Sequence, residues 1–379
     1  MGDVMENKEK KVRVALIGFG GMGQIYAKMI YAGMVPQMQL VGVCCRNLKG
    51  QELLKNEFPG VKIYSDVEVM KQCEEEYEAV LIVTPHTTHV ELGIQMAKLG
   101  KHLLIDKPIG VSAAEVKELL HVCKEYKVSV ATMFNNRRLP AFQMAKKLLE
   151  EGALGALHRV VWICNSWYRT PAYHKSAPWR SSWNGECGGL LINQNQHYLD
   201  MWQWLFGMPS KIYADMEFGR YNDFAVDDAV DIQFVHENGL HGTMVSATGE
   251  APGINRLEVW GTKGLLTVLD GARVLLDINE VSTEEFAKTN TEIYVGLAHK
   301  EEELQLEMPT NPYAEVFANF AAHILQGVEL YSDGIEGLKT VELTNAAYVS
   351  GWEEVKVSVP VEEERYVHLL KTKQLLEKK

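Results

Sequence analysis

Hydrophobic residues in the first third of the chain form short continuous runs separated by stretches with helical spacing. The runs have the length of buried strands and cover residues 12–17, 40–44, 79–83 and 102–105. Helical spacing follows the first run over 22–32, and Ser112-Ala113-Ala114-Glu115 has the pattern of a helix capping box. Strands and helices that alternate in this way predict a doubly wound parallel sheet over residues 10–135.

The pattern changes beyond Phe134, where longer strand-like stretches are joined by turn residues. These stretches cover 231–235, 242–246, 256–260 and 265–269, and they predict an antiparallel sheet. Helical spacing returns at 315–327, 337–350 and 361–379. One side of the last stretch, a predicted docked helix, carries Tyr366, Leu369, Leu370, Lys373 and Leu376. We therefore predict an α/β chain with one domain over 1–135 and a second α/β domain over 136–379.

Composition and charge argue against several classes of protein. The 379 residues include 38 Lys and Arg against 50 Asp and Glu, and the net charge of −12 disfavours a nucleic-acid partner. No apolar run approaches the ~18 residues of a membrane span, and the stretch after Met1–Lys11 is too short for a secretory signal. Six cysteines without a C-x-x-C pair favour reduced thiols. We expect a cytoplasmic protein with no membrane partner.

A glycine-rich turn is the sharpest local signal in the sequence. Residues 18–23 have the pattern G-x-G-x-x-G, directly after a strand and at the start of a helix. The first glycine allows a tight turn, the second lets the backbone approach a diphosphate, and the third allows close helix packing. The expected cofactor-binding residues are Gly18, Gly20, Gly21, Met22 and Gly23. The alternative is a plain glycine-rich turn.

The end of the second strand bears on which dinucleotide binds. An acidic residue in this region typically holds the ribose diol of NAD, but this chain has Cys45-Arg46-Asn47. Arg46 is suited to a 2′-phosphate, which favours NADP. Alternatively, Arg46 is a solvated surface residue, and Asn47 or main-chain groups hold NAD. The cofactor is therefore predicted as NAD or NADP.

Two further strands end in polar clusters, at the edge where open α/β sheets bind ligands. One cluster is Thr84-Pro85-His86 and the other is Asp106-Lys107-Pro108. Pro108 biases Lys107 away from helix and fixes it at the strand tip, where a nicotinamide would arrive. The alternative is a structural ion pair of Lys107. His86 and His89 have no third ligand at suitable spacing, so we expect no metal.

With these residues the chain resembles the glucose-fructose oxidoreductase, inositol dehydrogenase and rhizopine-catabolism (Gfo/Idh/MocA) family of oxidoreductases. The shared motifs are the glycine turn, T-P at 84–85 with His89, G-K-H-L-L-x-D-K-P-I at 100–109, Asn136 and Arg138 of an N-x-R segment, and G-G-L-L-x-N-x-x-x-H-x-x-D at 188–200. The family's usual E-K-P is D-K-P here.

The resemblance implies a Rossmann domain and a second domain with an open, mainly antiparallel sheet. That second domain would bind the substrate and form a homo-oligomer, a dimer or a tetramer, through its sheet. Further cofactor-binding residues are then expected at Cys45, Arg46, Asn47, Thr84, Pro85, His86, His89, Asp106, Lys107 and Asn136.

The segment 188–200 holds a candidate proton-transfer residue. Asn193, His197 and Asp200 are four and three residues apart, so on one helix they share a face. A histidine with a pKa near neutrality can take a hydroxyl proton while hydride leaves carbon. The resemblance gives this role to His197, with Lys107 polarising the same oxygen. Many family members have Asp at the position of Asn193, and Asp200 is expected to take part of its role. The alternative is a core histidine.

An aromatic block precedes that segment and includes Trp162, Trp167, Tyr168, Tyr173, Trp179 and Trp183. Flat rings edged by hydrogen-bonding groups suit a pyranose, although such rings also anchor cores or subunit interfaces. The candidate substrate-binding residues are Lys107, Arg138, Tyr168, Arg169, Trp179, Arg180, Asn193, His197 and Asp200.

The leading hypothesis is an NAD(P)-dependent dehydrogenase that acts on a ring secondary alcohol or ketone of a sugar, glycoside or cyclitol, glucoside 3-oxidation being one case. A second hypothesis adds cleavage of a glycosidic bond: a transient ketone acidifies the neighbouring C–H, and elimination releases the aglycone without net cofactor reduction. A third is a non-catalytic dinucleotide-sensing regulator. The presence of both Lys107 and His197 argues against this third hypothesis.

Overall fold

The computed structural model describes residues 10–377, so most of the Met1–Lys11 segment considered for a secretory signal lies outside the described residues. These residues form two compact units. Unit 1 contains residues 10–110, Ala114–Asn135 and Tyr313–Leu338, and unit 2 contains Val111–Ala113, Asn136–Pro312 and 339–377.

Unit 1 is built on a six-stranded sheet in the order β3-β2-β1-β4-β5-β6, and every neighbouring pair is parallel. Its strands are β1 (Val12–Ile17), β2 (Met38–Cys44), β3 (Lys62–Tyr64), β4 (Ala79–Ile82), β5 (His102–Ile105) and β6 (Val130–Thr132). All four residues of β4 are buried, as expected for a central parallel strand covered on both faces. The prediction of a doubly wound parallel sheet is confirmed.

The helices that connect these strands are α1 (Gly21–Tyr31), α2 (Leu48–Glu57), α3 (Val67–Lys71), α4 (His89–Lys98) and α5 (Ala113–Glu125). Helix α5 begins where expected, but the predicted capping box does not form. The Ser112 hydroxyl is buried and makes no hydrogen bond. The Ala113 N–H instead donates to Asn345 Oδ1 at 2.9 Å, a partner far along the chain.

Unit 2 is built on a nine-stranded sheet in the order β14-β13-β12-β11-β7-β10-β9-β8-β15. Only β7 and β10 pair in parallel, so the predicted mainly antiparallel sheet is confirmed. The strands are β7 (Leu157–Cys164), β8 (Lys211–Phe218), β9 (Asp227–Val235), β10 (His241–Ala247), β11 (Asn255–Gly261), β12 (Gly264–Leu269), β13 (Arg273–Asn279), β14 (His299–Glu303) and β15 (Val357–Ser358).

The remaining helices are α6 (Pro140–Glu150), α7 (Pro171–His174), α8 (Leu190–Asn193), α9 (Gln196–Phe206), α10 (Thr283–Thr289), α11 (Pro312–Gln326), α12 (Gly334–Glu353) and α13 (Glu363–Glu377). Helix α13 docks through Glu377, whose carboxylate accepts the N–H groups of Trp183 and Asn184 at 2.8 Å each. Tyr366 and Leu370 are buried, but Leu376 is 60% exposed, so its placement on the packed side was wrong.

Residues 313–338, which the sequence assigned to the second domain, belong to unit 1. Phe317 and Phe320 of α11 are fully buried in the unit 1 core. The ring of Phe317 makes an edge contact with Tyr26 at 5.1 Å between centroids. A contact between residues this far apart in sequence leaves no trace in local periodicity, so the predicted boundary missed it.

No helix within residues 10–377 is both long enough and apolar enough to cross a membrane.

We predict that Phe317→Ala weakens the core of unit 1. Removing a buried phenylalanine should lower the free energy of opening by about 3–5 kcal/mol. Hydrogen exchange of the β1 and β4 amides measures this locally, because all eight tryptophans lie in unit 2 and their fluorescence does not report on unit 1. Leu376→Ala, at an exposed position of unit 2, is the control. Equal protection of β1 in both variants would contradict the assignment of α11.

Candidate active site

The glycine turn of unit 1 is tightly packed at both ends and open in the middle. Gly18 has φ +102°, and a Cβ there would collide with the Val83 carbonyl oxygen. A Cβ at Gly23 would collide with the Gly18 carbonyl oxygen, whereas at Gly20 and Gly21 it would meet open space. Helix α1 has no side-chain cap, so its first N–H groups are available to an anion. These residues therefore fit a dinucleotide diphosphate. The predicted Met22 is half-buried beside them.

The end of β2 leads into the segment expected to distinguish NAD from NADP. Cys45 is buried, and its thiol lies 3.5 Å from the Asn47 carbonyl oxygen. Asn47 caps helix α2, because its Oδ1 accepts the Lys49 N–H at 2.9 Å. Arg46 is exposed to solvent. The asparagine oxygen is thus already engaged, and the arginine is the free polar group.

His89 connects the segments that follow β4 and β5. Its side chain is fully buried, and its two ring nitrogens lie 2.7 Å from the carbonyl oxygens of Thr84 and Pro108. Burial lowers the pKa of His89, while both carbonyl oxygens and Asp106 oppose that shift. The buried His89 ring therefore joins these two segments of the chain, and its expected cofactor contact stays a prediction. Pro85 precedes the short 3-10 turn His86–Thr88, which lies between β4 and α4.

Asp106 holds the backbone of Lys107 at the tip of β5. Its Oδ1 accepts the Lys107 N–H at 2.9 Å and the Tyr26 hydroxyl at 3.3 Å. Burial raises the pKa of Asp106, and the Lys107 ammonium acts in the opposite direction. The strand end is therefore fixed by side chains of unit 1 on both sides of Lys107.

In unit 2, the segment expected as one helix is two helices, α8 and α9, separated by Gln194 and Asn195. Asn193 and His197 therefore do not share one continuous helical face, which corrects the prediction. The break is held by hydrogen bonds from neighbouring elements: Ser246 Oγ lies 2.8 Å from Asn195 Oδ1, and Gln196 Nε2 donates to Thr344 Oγ1 at 2.7 Å.

Asp227 anchors the start of α8. It is fully buried and accepts the N–H groups of Gly189 at 2.8 Å and Leu191 at 2.6 Å, and the Tyr348 hydroxyl at 2.8 Å. Burial raises the pKa of Asp227, although these three donors oppose the shift. A Cβ at Gly188 would collide with the Tyr348 hydroxyl, which explains the small residue there.

Asp200 is directed to a partner that the sequence analysis missed. Its two oxygens accept from Arg137 at 2.9 and 2.5 Å in a buried pair, and Gln203 adds a third hydrogen bond. A carboxylate engaged in a buried bidentate pair is a structural element. This geometry does not support the expected roles of Asp200 in assisting His197 and in binding substrate. His197 itself is buried on α9, with 9% of its surface exposed.

A second overlooked residue, Glu186, supplies a carboxylate to Asn193. Glu186 is buried, and its Oε1 accepts from Asn193 Nδ2 at 2.6 Å while Oε2 accepts the Ser181 N–H at 2.7 Å. The available signal was its place in W-R-x-x-W-x-G-E at 179–186, directly before the histidine segment. Asn193 is uncharged, but its side-chain amide is hydrogen-bonded to the carboxylate of Glu186.

The aromatic block divides into core and surface members. Trp162 and Trp183 are buried in the core of unit 2. Tyr173 and Trp179 are half-buried and lie beside Arg169 and Arg180, and Tyr168 is 51% exposed. The core interpretation is therefore confirmed for Trp162 and Trp183, and substrate binding by the exposed and half-buried members stays a prediction.

The predicted Asn136 and Arg138 lie half-buried on the 3-10 turn Asn135–Arg138. Within residues 10–377, no three His, Cys, Asp or Glu side chains are grouped to hold a metal ion.

Two family models match the chain. One, described as an oxidoreductase family with an NAD-binding Rossmann fold, covers residues 12–134. The other, described as the GFO/IDH/MocA C-terminal domain, covers residues 142–267. The chain belongs to the Gfo/Idh/MocA family of NAD-binding oxidoreductases, and the resemblance seen in its motifs is confirmed.

Similar proteins include the inositol 2-dehydrogenase of Rhizobium meliloti, 25% identical over 359 residues that cover 92% of this chain and 99% of the relative. The structure of the WlbA dehydrogenase from Bordetella pertussis with NADH and UDP-GlcNAcA has a TM-score of 0.78 at 23% identity, covering 93% of this chain and 100% of that chain. A levoglucosan dehydrogenase solved with NADH and levoglucosan has a TM-score of 0.79 at 21% identity, with coverage of 93% and 100%. The two solved structures establish a shared fold.

We predict that Gly20→Ala folds normally and binds NADH more weakly. The backbone φ of −78° accepts alanine and the new methyl group meets no protein atom, so the free energy of unfolding should stay within about 0.5 kcal/mol. If the open space takes the diphosphate, the Kd for NADH rises by about tenfold or more. Calorimetric titration measures the Kd, and Gly296→Ala, equally open, is the control. Unchanged affinity in Gly20→Ala would reject this diphosphate position.

Proposed function

We propose that this protein is an NAD(P)-dependent dehydrogenase that interconverts a ring secondary alcohol and ketone of a sugar, glycoside or cyclitol. The observation that carries the proposal is the open glycine turn of unit 1, in a sheet whose β5 is followed directly by Asp106 and Lys107. Further support comes from relatives named inositol 2-dehydrogenase and levoglucosan dehydrogenase.

Lys107 and His197 share the proton and charge chemistry in this proposal. When bound, a nicotinamide cofactor accepts or supplies the hydride. Lys107 donates a hydrogen bond to the carbinol oxygen and stabilises negative charge that develops there. His197 takes the hydroxyl proton during oxidation and returns it during reduction. Both side chains must therefore reach one oxygen atom of the substrate.

Asn193 and Glu186 jointly replace the aspartate that many family members have. The Glu186 carboxylate orients the Asn193 amide through the 2.6 Å hydrogen bond. Asp200 remains in its pair with Arg137.

We assign substrate binding to the polar and aromatic residues that the sequence motifs identify. Besides Lys107, His197 and Asn193, it involves Arg138, Tyr168, Arg169, Trp179 and Arg180. The cofactor is held by the glycine turn, the strand-end residues Thr84, Pro85 and His86, and Asn136. We further propose assembly into a homo-oligomer through the sheet of unit 2.

Purified protein provides a direct test of the activity. Mass spectrometry identifies any nucleotide that copurifies, and a panel of sugars, glycosides and cyclitols is screened with NAD and NADP for absorbance of the reduced nicotinamide. Substrate-dependent reduction supports the dehydrogenase. Aglycone release without net reduction would indicate the cleavage reaction, and nucleotide binding without either reaction would indicate the regulator.

We predict that Lys107→Ala lowers turnover by about 10²–10⁴-fold without loss of NADH binding, because the variant removes the group that polarises the reacting oxygen. Steady-state kinetics and calorimetric titration separate the two effects. Lys101→Ala is the matched control, since Lys101 precedes β5 while Lys107 follows it. Undiminished turnover in Lys107→Ala would eliminate the proposed role.

We predict that Arg46→Ala lowers kcat/KM for NADP by about tenfold or more and changes the value for NAD by less than about threefold. The physical reason is that Arg46 is exposed at the end of β2 while the Asn47 oxygen is already used to cap α2. Lys49→Ala removes a neighbouring exposed positive charge and serves as control. Equal loss for both cofactors, or none, argues against a 2′-phosphate site at Arg46.

A further inference from the structure

Two arginine side chains contact the ring of Tyr173 in unit 2. The guanidinium carbons of Arg169 and Arg180 are 4.9 and 4.5 Å from its ring centroid. Trp167 contacts Arg169 at 5.2 Å and Trp179 contacts Arg180 at 4.6 Å. Two positively charged groups thus contact one tyrosine ring and a tryptophan ring each, and aromatic contacts of this kind partly desolvate a charge. We call these five residues the arginine cluster.

The arginine cluster is fixed in position by hydrogen bonds. The backbone N–H of Arg169 donates to the Thr248 carbonyl oxygen at 2.8 Å. Arg180 Nη1 donates to the Tyr173 hydroxyl at 2.7 Å, and that oxygen lies 3.3 Å from Asn193 Nδ2. The cluster is therefore joined to Asn193, four residues before His197.

Nothing within residues 10–377 forms an ion pair with Arg169 or Arg180. The Nε atom of each is buried and lacks a hydrogen-bond acceptor. The nearby carboxylates have other partners: Glu186 accepts from Ser181 and Asn193. Asp228 accepts the backbone N–H groups of Arg220, Tyr221 and Asn222.

The positive potential of the cluster also acts on His174. Burial lowers the pKa of His174, and both arginines lower it further, whereas Asp228 raises it. Two guanidinium groups without a protein anion would be an unfavourable arrangement if no ligand anion compensated them. The pattern is typical of a site for a planar oxyanion, since the guanidinium fork matches a carboxylate.

We propose that Arg169 and Arg180 bind a carboxylate of the substrate, so that this enzyme acts on sugar acids in preference to neutral sugars. The inference rests on the proposed dehydrogenase function and narrows its substrate class. Hydroxyl groups would not neutralise the charges of the cluster. The reacting hydroxyl group and the carboxylate belong to the same sugar molecule. The cluster selects this molecule by the negative charge of its carboxylate.

Matched pairs of substrates test the proposal with the full-length protein. D-glucuronate is compared with D-glucose, D-galacturonate with D-galactose, and D-glucose 6-phosphate represents a phosphate in place of the carboxylate. We expect kcat/KM for the uronates to exceed that of their neutral partners by about tenfold or more. A preference for the neutral sugars, or for the phosphate, would overturn the carboxylate assignment while leaving the dehydrogenase function intact.

Variants then test whether the arginines cause the preference. Arg169→Met and Arg180→Met should raise KM for the uronate by about tenfold or more and reduce the preference for the uronate over the neutral sugar. Arg180→Lys keeps the charge without the bidentate fork and should have an intermediate effect. Arg273→Met, which removes an arginine from an exposed ion pair with Glu303, is the control. Equal losses for charged and neutral substrates would contradict the inference.

A binding measurement makes the result independent of turnover. D-glucuronate should raise the melting temperature of the NAD-saturated wild type and the Arg273→Met variant but not of Arg169→Met or Arg180→Met. If no sugar is oxidised but this stabilisation occurs, the carboxylate site stands and the proposed reaction fails. If D-glucuronate is neither oxidised nor stabilising, the carboxylate site is rejected.

Discussion

The buried carboxylate of Asp227 is the constraint on which the histidine segment of unit 2 depends. It accepts two backbone N–H groups at the start of α8 and the hydroxyl of Tyr348 on α12. Burial disfavours its charge, so the carboxylate is tolerable only while these donors are in place. Gly188 and Gly189 let the chain pass close to Tyr348 and Asp227, where larger residues would collide. The position of α8, and of Asn193 at its end, follows from this contact.

In unit 1, contacts between the segments that follow the strands hold the backbone around Lys107 in place. His89 joins the carbonyl groups of Thr84 and Pro108, and Asp106 holds the backbone of Lys107. Neither contact uses the lysine ammonium directly. Rigid backbone on both sides of a functional side chain limits its conformations, which favours a preorganised site. The residues around Lys107 therefore contribute through geometry more than through their own chemistry.

The sequence predicted both sheets and the glycine turn, because strand-length apolar runs and G-x-G-x-x-G are local patterns. It failed where distant residues decide the outcome. Ser112 makes no capping hydrogen bond, the Ala113 N–H is bound by the distant Asn345, and Asp200 is paired with Arg137. Spacing alone could not show the break between α8 and α9, which is stabilised by Ser246 and Thr344. The sequence could have indicated Glu186, because it ends a motif directly before the histidine segment. Its hydrogen bond to Asn193 is visible only in the structure.

The interleaved order of the two units also affects how the protein folds during synthesis. Nascent chains tend to fold from the N-terminus as domains leave the ribosome. Here the core of unit 1 is incomplete until Phe317 and Phe320 are translated, after the whole of Asn136–Pro312 has been made. Unit 1 can therefore complete its core only after the chain segment that separates its two parts has been synthesised.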